Sequence, residues 1–489
     1  MATRGERGGD ALQEIGVIER NTKKGQTGDP RVAVARISER GYADQASLLN
    51  ALDRAAVSLG WSENARGPES ARGPFANVIP AGARVLIKPN FVMHENQGSG
   101  GIEPLVTHPS LVRAATEAAL LSGASQVMVG DAPVQGCDFN SLLSATGLDL
   151  WATDLIKTEP RFKGIHDFRR TTCTFVNGVR VASENVRGED GFVLFDLAGE
   201  SLLEPVTDGR ASFRVTCYDP RLMAKTHAPG RHQYLIARAV MDADVIINLP
   251  KLKTHKKAGV TCALKNLIGI NGNKEYLPHH RTGGSGSGGD CYPGRSPVKR
   301  ALEYTLDRQN QAASFRTGRL WQELAVNLTR VSARAGDELG VEGSWSGNDT
   351  IWRTGLDLNR ILIYGRADAT LADMPERRVL HLVDAIVAGQ GDGPLRPDPL
   401  ALRVIFMGSN AAAVDWVGAH MLGYDPARIK IVKESFGNFR WPVASFSSSD
   451  VMVLGDLGCG RADDLFESIE IPDVKYPAGW RDAARKGVA

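Results

Sequence analysis

The stretch 83–133 constrains the fold more than any other part of the chain. Residues 83–87 read as a buried strand that ends in Lys88-Pro89-Asn90. A glycine-containing loop, 97–101, follows. Thr107 is placed to cap a helix whose first turn holds Pro109; the helix runs from about 110 to 122, and Gly123 ends it. Residues 126–130 form a second strand, ending at Asp131. This order of elements predicts a βαβ unit with a parallel strand pair. Parallel strands end on one side, so Lys88, Asn90 and Asp131 are expected at one sheet edge.

The remaining pattern predicts an α/β fold: a mostly parallel sheet with flanking helices in Rossmann-like layers, interrupted by a mostly β insertion. Further strands are expected at 32–37, 245–249, 379–387, 404–407 and 451–454, and helices at 44–59, 234–242 and 411–422. Residues 296–336 have helical composition, with a break near Thr317-Gly318. The expected organisation is a flexible tail (1–29), a first α/β half (30–149), a β-rich insertion (150–233), a second α/β half (234–460) and a C-terminal tail (461–489). Within the second half, 275–297 is dense in Gly and Ser and reads as a mobile lid carrying His279 and His280.

The chemistry concentrates in 244–274. An apolar strand runs straight into a segment holding Lys251, Lys253, His255, Lys256, Lys257, Lys265 and Lys274, with no Asp or Glu between Val245 and Lys274. Lysine runs usually form solvated faces. Here the lysines alternate with Leu252, Thr254, Val260 and Leu264, and Lys265-Asn266 sits inside an apolar run. A partly buried lysine needs a partner, because an isolated charge there costs several kcal/mol or more. With no local acid, that partner is a distant carboxylate or a bound anion.

The net charge of +2 gives no global field for nucleic acid or membrane, so neither partner is expected. No stretch approaches the roughly 18 apolar residues of a membrane helix. Met1 to Arg31 has no apolar core of a signal peptide, so a cytoplasmic location is expected. The six cysteines contain no Cys-x-x-Cys pair, hence no motif for a local iron–sulfur cluster. The loop after Asn90, with Gly98, Gly100 and Gly101, does not match Gly-x-Gly-x-x-Gly, and no P-loop is present.

Several motifs occur in order: Val85-Leu86-Ile87-Lys88-Pro89-Asn90, Leu249-Pro250-Lys251-Leu252-Lys253-Thr254-His255, and the run from Val260 to Gly269. Val383-Asp384, Gly391-Asp392-Gly393-Pro394 and Ala413-Val414-Asp415 follow. Together they resemble the domain-of-unknown-function family 362 of bacteria and archaea, over about 32–433. The resemblance attaches no common reaction. Many relatives carry ferredoxin-type cysteine motifs, which this chain lacks, so oxidoreductase chemistry is implied by the resemblance alone. Relatives often place an acid before the Gly-x-Gly-Pro turn, where this chain has Gln390.

The expected site gathers Lys88, Asn90, Lys251, Lys253, Lys265 and Asn266 around a phosphate or carboxylate. His255, Asp131 and Asp384 are the candidates for proton transfer. Asp131, His255, Asp384 and Asp415 are ligand types for a metal, whose presence the cluster of lysines opposes. The leading expectation is an enzyme for a small anionic substrate or cofactor. A non-catalytic carrier of an anionic cofactor or metal complex, and an oligomeric assembly protein, are the alternatives. A redox partner protein or further copies of the chain are the macromolecular partners considered.

Overall fold

A computed structural model describes residues 26–63, 73–176, 178–208 and 212–485. Its centre is an 11-stranded sheet. The strands are β1 (Arg31–Arg36), β2 (Arg84–Pro89), β3 (Gln126–Asp131), β4 (Phe162–Asp167), β5 (Val245–Leu249), β6 (Lys251–His255), β7 (Gly259–Thr261), β8 (Arg378–Asp392), β9 (Arg396–Gly408), β10 (Met452–Gly455) and β11 (Gly460–Arg461). The order across the sheet is β11-β10-β1-β9-β8-β5-β2-β3-β4, with β6 paired to β7 and β8. Strands β8, β5, β2, β3 and β4 are parallel, and β9 runs against β8 and β1.

Both sheet faces are covered, which explains why the central strands are apolar without interruption. Val85 and Ile87 enter a core with helices α1 (Gln45–Leu59) and α2 (Pro109–Leu121). Leu86 between them enters a second core on the opposite face. Two further helices on the chain form a hairpin, α3 (Pro297–Gln311) and α4 (Phe315–Arg334). Helices α5 (Ile351–Tyr364) and α6 (Ala411–Met421) pack on the opposite side of the sheet from α1 and α2.

The chain winds outward from β2 through β3 to β4, then returns to lay β5 on the other side of β2. The crevice beyond the carboxyl ends of β2 and β5 is thus a topological switch point, where ligands bind in open α/β sheets.

Several expectations change. The 150–233 segment is not a separate β insertion from its start: a helix, Leu148–Thr158, leads into β4, which extends the main sheet. Residues 234–242 are strand Arg231–Ala237 followed by a short helix, Arg238–Asp242. His108, not Thr107, caps α2, while the Thr107 hydroxyl donates to Leu249 O and accepts from Asn90 N. The helical break falls before Phe315, ahead of Thr317-Gly318. The polar run after Pro250 is itself strand, β6 and β7.

The expected tails are partly core. Residues 1–25 of the first lie outside the described residues, but Gln26 is buried and its Oε1 accepts from Val379 N at 2.8 Å. In the second, Trp480 is 2 % exposed and its indole donates to Lys256 O at 2.7 Å.

The Gly- and Ser-rich loop expected as a mobile lid is tied down at both ends, while 285–288 are exposed. Its glycines permit close backbone approach: a Cβ on Gly284 would lie 2.2 Å from Gly294 O, and one on Gly289 2.0 Å from Thr282 O. Asp290 anchors the loop, accepting from Thr350 Oγ1 at 2.6 Å and Asp349 N at 2.9 Å. Gly284→Ala is expected to cost about 1–3 kcal/mol through this overpacking. Urea unfolding checks it; an unchanged midpoint would return the loop to the status of a mobile lid.

Candidate functional site

Two lysines of the expected cluster are already paired. Lys88, at the end of β2, spends its three donors on Asp131 Oδ1 (2.7 Å), Pro89 O (2.8 Å) and Asn266 Oδ1 (3.2 Å). Asp131 Oδ2 accepts from Phe91 N at 2.8 Å. Asn266 is oriented in turn by donating to Asn248 Oδ1 at 2.7 Å. Gly269 crosses directly above: a Cβ there would lie 2.0 Å from Asp131 Oδ1, so only glycine lets the chain close over this pair.

Lys251 and Asp384 form a second buried pair at 2.6 Å, both side chains 0 % exposed. Lys251 Nζ also donates to Tyr42 Oη (2.8 Å) and Val387 O (3.1 Å). Tyr42 donates to Asp384 Oδ1 at 2.6 Å, and His108 N donates to Oδ2 at 2.9 Å. Neither Lys251 nor Asp384 lines the cleft described below. The register of β6 on β8 breaks between Lys251, opposite Asp384, and Lys253, opposite Gly389. The assignment of Lys251 to anion binding and of Asp384 to catalysis is therefore corrected: together they form a structural ion pair.

Lys253 and Lys265 differ. Both line a cleft of ≈ 1240 Å³ at the switch point, together with Lys257 and Lys274. This is roomier than the roughly 300–1,000 Å³ common for small-molecule sites. Among the described residues, none of these four lysines has a carboxylate within ion-pair distance. Lys253 Nζ donates to Leu105 O, and Lys257 Nζ to Thr216 Oγ1, both at 2.5 Å. Lys274 Nζ donates to Thr216 O at 3.4 Å. The side chain of Lys265, a residue 9 % exposed, makes no hydrogen bond or ion pair among the described residues. Glu342 pairs with Lys256 at 3.4 Å and is the carboxylate whose field reaches Lys257 and Lys274.

Burial lowers all four amines, and neighbouring lysines add to the shift at Lys253, Lys257 and Lys265. Lys253 is held well below the usual lysine range, first by burial and then by Lys251 and Lys265. Burial, reinforced by Lys257 and Lys88, lowers Lys265 to about 7. Two buried polar atoms on the cleft wall also lack partners, Asn90 Oδ1 and Thr261 Oγ1.

Two histidines complete the wall with opposite tautomers. His255 Nδ1 accepts from Lys257 N (3.0 Å) and Ala258 N (3.2 Å), so the neutral ring carries its proton on Nε2. His279 Nδ1 lies 2.7 Å from Leu277 O, a pure acceptor, so its proton is on Nδ1 and the Nε2 lone pair is free. Burial, with Lys265 as the nearest cationic influence, pushes both well below the usual histidine range. His255 is thus a neutral hydrogen-bond donor, and does not titrate near neutrality as expected from its type. His280 does not line the cleft; it pairs in a short strand with Arg214.

Asp415, 0 % exposed on α6, accepts from Leu264 N at 3.2 Å and so holds the helical turn Ala263–Asn266 that presents Lys265. Burial raises it to about 7. Asp131, His255, Asp384 and Asp415 are not brought together as one ligand set. Among the described residues no group of three or more His, Cys, Asp or Glu side chains is placed to hold a metal ion. Sequence reasoning left Lys257, Lys274 and His279 out of the anion site, although all three stand in or beside the acid-free run. Gln135 and Asn273, which meet at 2.6 Å on the cleft wall, had no such signal.

Fold and cleft define a doubly wound α/β protein with a lysine-lined crevice at its switch point. The chain belongs to the family described as Domain of unknown function (DUF362), which matches residues 85–183 and 207–420. It is 22% identical over 359 residues to the thylakoid-associated protein sll1697 of Synechocystis sp., an alignment covering 73% of this chain and 68% of the relative. Solved structures with a distant likeness include a Northeast Structural Genomics Consortium target from Thermotoga maritima, at 10% identity and TM-score 0.29, covering 69% of this chain and 54% of that one. The lactate racemase apoprotein from Thermoanaerobacterium thermosaccharolyticum matches at 10% identity and TM-score 0.29, covering 81% of this chain and 58% of that one. The chain thus spans less than two thirds of each solved protein.

Proposed function

We propose that the protein is an enzyme that binds a small phosphate- or carboxylate-bearing substrate in this cleft and moves a proton on it. The observation that carries the reading is the convergence of Lys253, Lys257, Lys265 and Lys274 on one crevice without paired acids. An anion placed among them supplies the missing counter-charge, and charge-assisted hydrogen bonds in a desolvated site are strong. Asn90 Oδ1 and His255 Nε2–H fix the orientation of polar groups on the ligand. The His279 Nε2 lone pair accepts a hydrogen bond from a donor group of the ligand. Lys265, near 7 in the free protein, is the group able to hold or release a proton at neutral pH. Acids on another subunit are a poorer counter-charge, since Lys253 is 0 % exposed.

The test is calorimetric titration with sulfate, whose charge is constant across the range used. The bound anion favours the ammonium form of Lys265, so above its free value of about 7 binding must take up a proton. Affinity is therefore expected to be greatest below pH 7 and to fall by up to roughly tenfold per pH unit above it. Affinity that is flat or rises with pH would remove Lys265 from the anion site. Native mass spectrometry of the purified protein, compared with its denatured mass, identifies any ligand that travels with it. Release of that ligand in one equivalent, without turnover of added substrate, would make the protein a carrier.

A further inference from the structure

The α3–α4 hairpin is the part of the molecule that the cleft leaves unexplained. Helix α4 has 20 residues and buries only Gly318, Ala325 and Ser332. Its outer side exposes Leu320 (69 %), Leu324 (44 %) and Val331 (49 %). At spacings of four and seven these residues form one stripe along the helix. Tyr304 of α3, 52 % exposed, meets Trp321 of α4 edge-on at 6.0 Å and widens the stripe with aromatic surface. Exposed apolar side chains aligned along one helix face are characteristic of an interaction surface.

The charges beside the stripe are predominantly basic. Arg316, Arg319, Arg330 and Arg334 are exposed on α4, and Arg300 and Arg308 on α3. Arg308 lies over the Tyr304 ring at 5.0 Å. On the acidic side, Asp307 is taken by Arg214 and Glu303 is buried. Glu323, paired with Arg319 at 3.2 Å, is the exposed acid on these two helices. By the periodicity of α4, Arg316, Arg330 and Arg334 run alongside Leu320, Leu324 and Val331, so both sets face outward together.

We propose that this hairpin face docks on an anionic lipid surface. Leucine, valine, tryptophan and tyrosine enter the headgroup boundary while the arginines meet lipid phosphates and carboxylates. The helix lies along the surface: no helix among the described residues is long and apolar enough to cross a membrane. A second copy fits less well, because two such faces would bring arginines against arginines. The net charge of +2, from which no membrane contact was expected, averages over a basic patch confined to one hairpin.

The test is co-sedimentation of the full chain with phosphatidylcholine vesicles, with and without phosphatidylserine. Binding is expected on the phosphatidylserine vesicles, with little on phosphatidylcholine alone. Leu320→Ser combined with Leu324→Ser is expected to lower partitioning by at least roughly tenfold. Arg316→Ser with Arg334→Ser is expected to lower it by about tenfold or more, and added salt should do the same to the wild type. All four positions are exposed, so the melting temperature and sulfate binding should remain as in the wild type. Failure to sediment with anionic vesicles overturns the proposal, as does sedimentation unaffected by the leucine pair. A dimer in size-exclusion chromatography that the leucine pair dissolves, without vesicle binding, would assign the face to a second copy and also overturn it.

Discussion

Asp384→Ala is expected to destabilise the protein by about 3–5 kcal/mol, because it strands a buried ammonium. Lys251 is 0 % exposed and would retain only Tyr42 Oη and Val387 O. Tyr42 and the His108 amide would each lose their acceptor at the same time. Replacing both charges, Lys251→Met with Asp384→Leu, should recover much of the loss, since a buried pair is often matched by apolar groups of similar volume. Urea unfolding of the two single variants and the double variant measures the coupling directly. A loss below about 1 kcal/mol for Asp384→Ala would mean that water reaches the pair. Asp384 would then regain its place as a candidate for catalysis.

Lys253→Met should move stability in the opposite direction. Lys253 is also 0 % exposed, but its hydrogen-bond partner is the neutral Leu105 carbonyl, and its cationic neighbours repel it. Removing that amine relieves an uncompensated burial, so the melting temperature of the ligand-free protein should hold or rise by the equivalent of about 1–2 kcal/mol. Anion affinity should weaken by about 2–5 kcal/mol, the loss typical of removing one partner from a buried charge contact. Gain of stability with loss of binding marks a position kept for its ligand. Loss of stability with intact sulfate binding would make Lys253 another structural lysine.

These opposite signs show what pattern alone could and could not supply. The β2–α2–β3 unit was legible because its apolar runs, its proline and its glycine act locally. The acid-free run before Lys274 marked the sheet edge at which the cleft lies. Its individual lysines could not be sorted by spacing, because Asp384, the partner of Lys251, approaches from a strand more than one hundred residues away. Lys251 and Lys253 differ by two positions yet have unlike surroundings, owing to the register break of β6 on β8. Glycine density misled for a similar reason. Composition suggests mobility at 283–289, whereas the backbone there packs against carbonyls that only a missing Cβ admits. The β4 strand was missed because its residues, Phe-Lys-Gly-Ile-His-Asp, follow edge-strand exposure instead of the apolar pattern of a buried strand.

The bond from the Trp480 indole to Lys256 O spans 224 positions of sequence. During synthesis, β6 leaves the ribosome long before its buttress exists. At about 5–20 residues per second the interval is roughly 10–45 s. For that time the turn between β6 and β7 lacks the indole that packs over Gly259 in the finished fold. Docking of Trp480 is therefore among the last contacts by which the turn after His255 reaches its final packing.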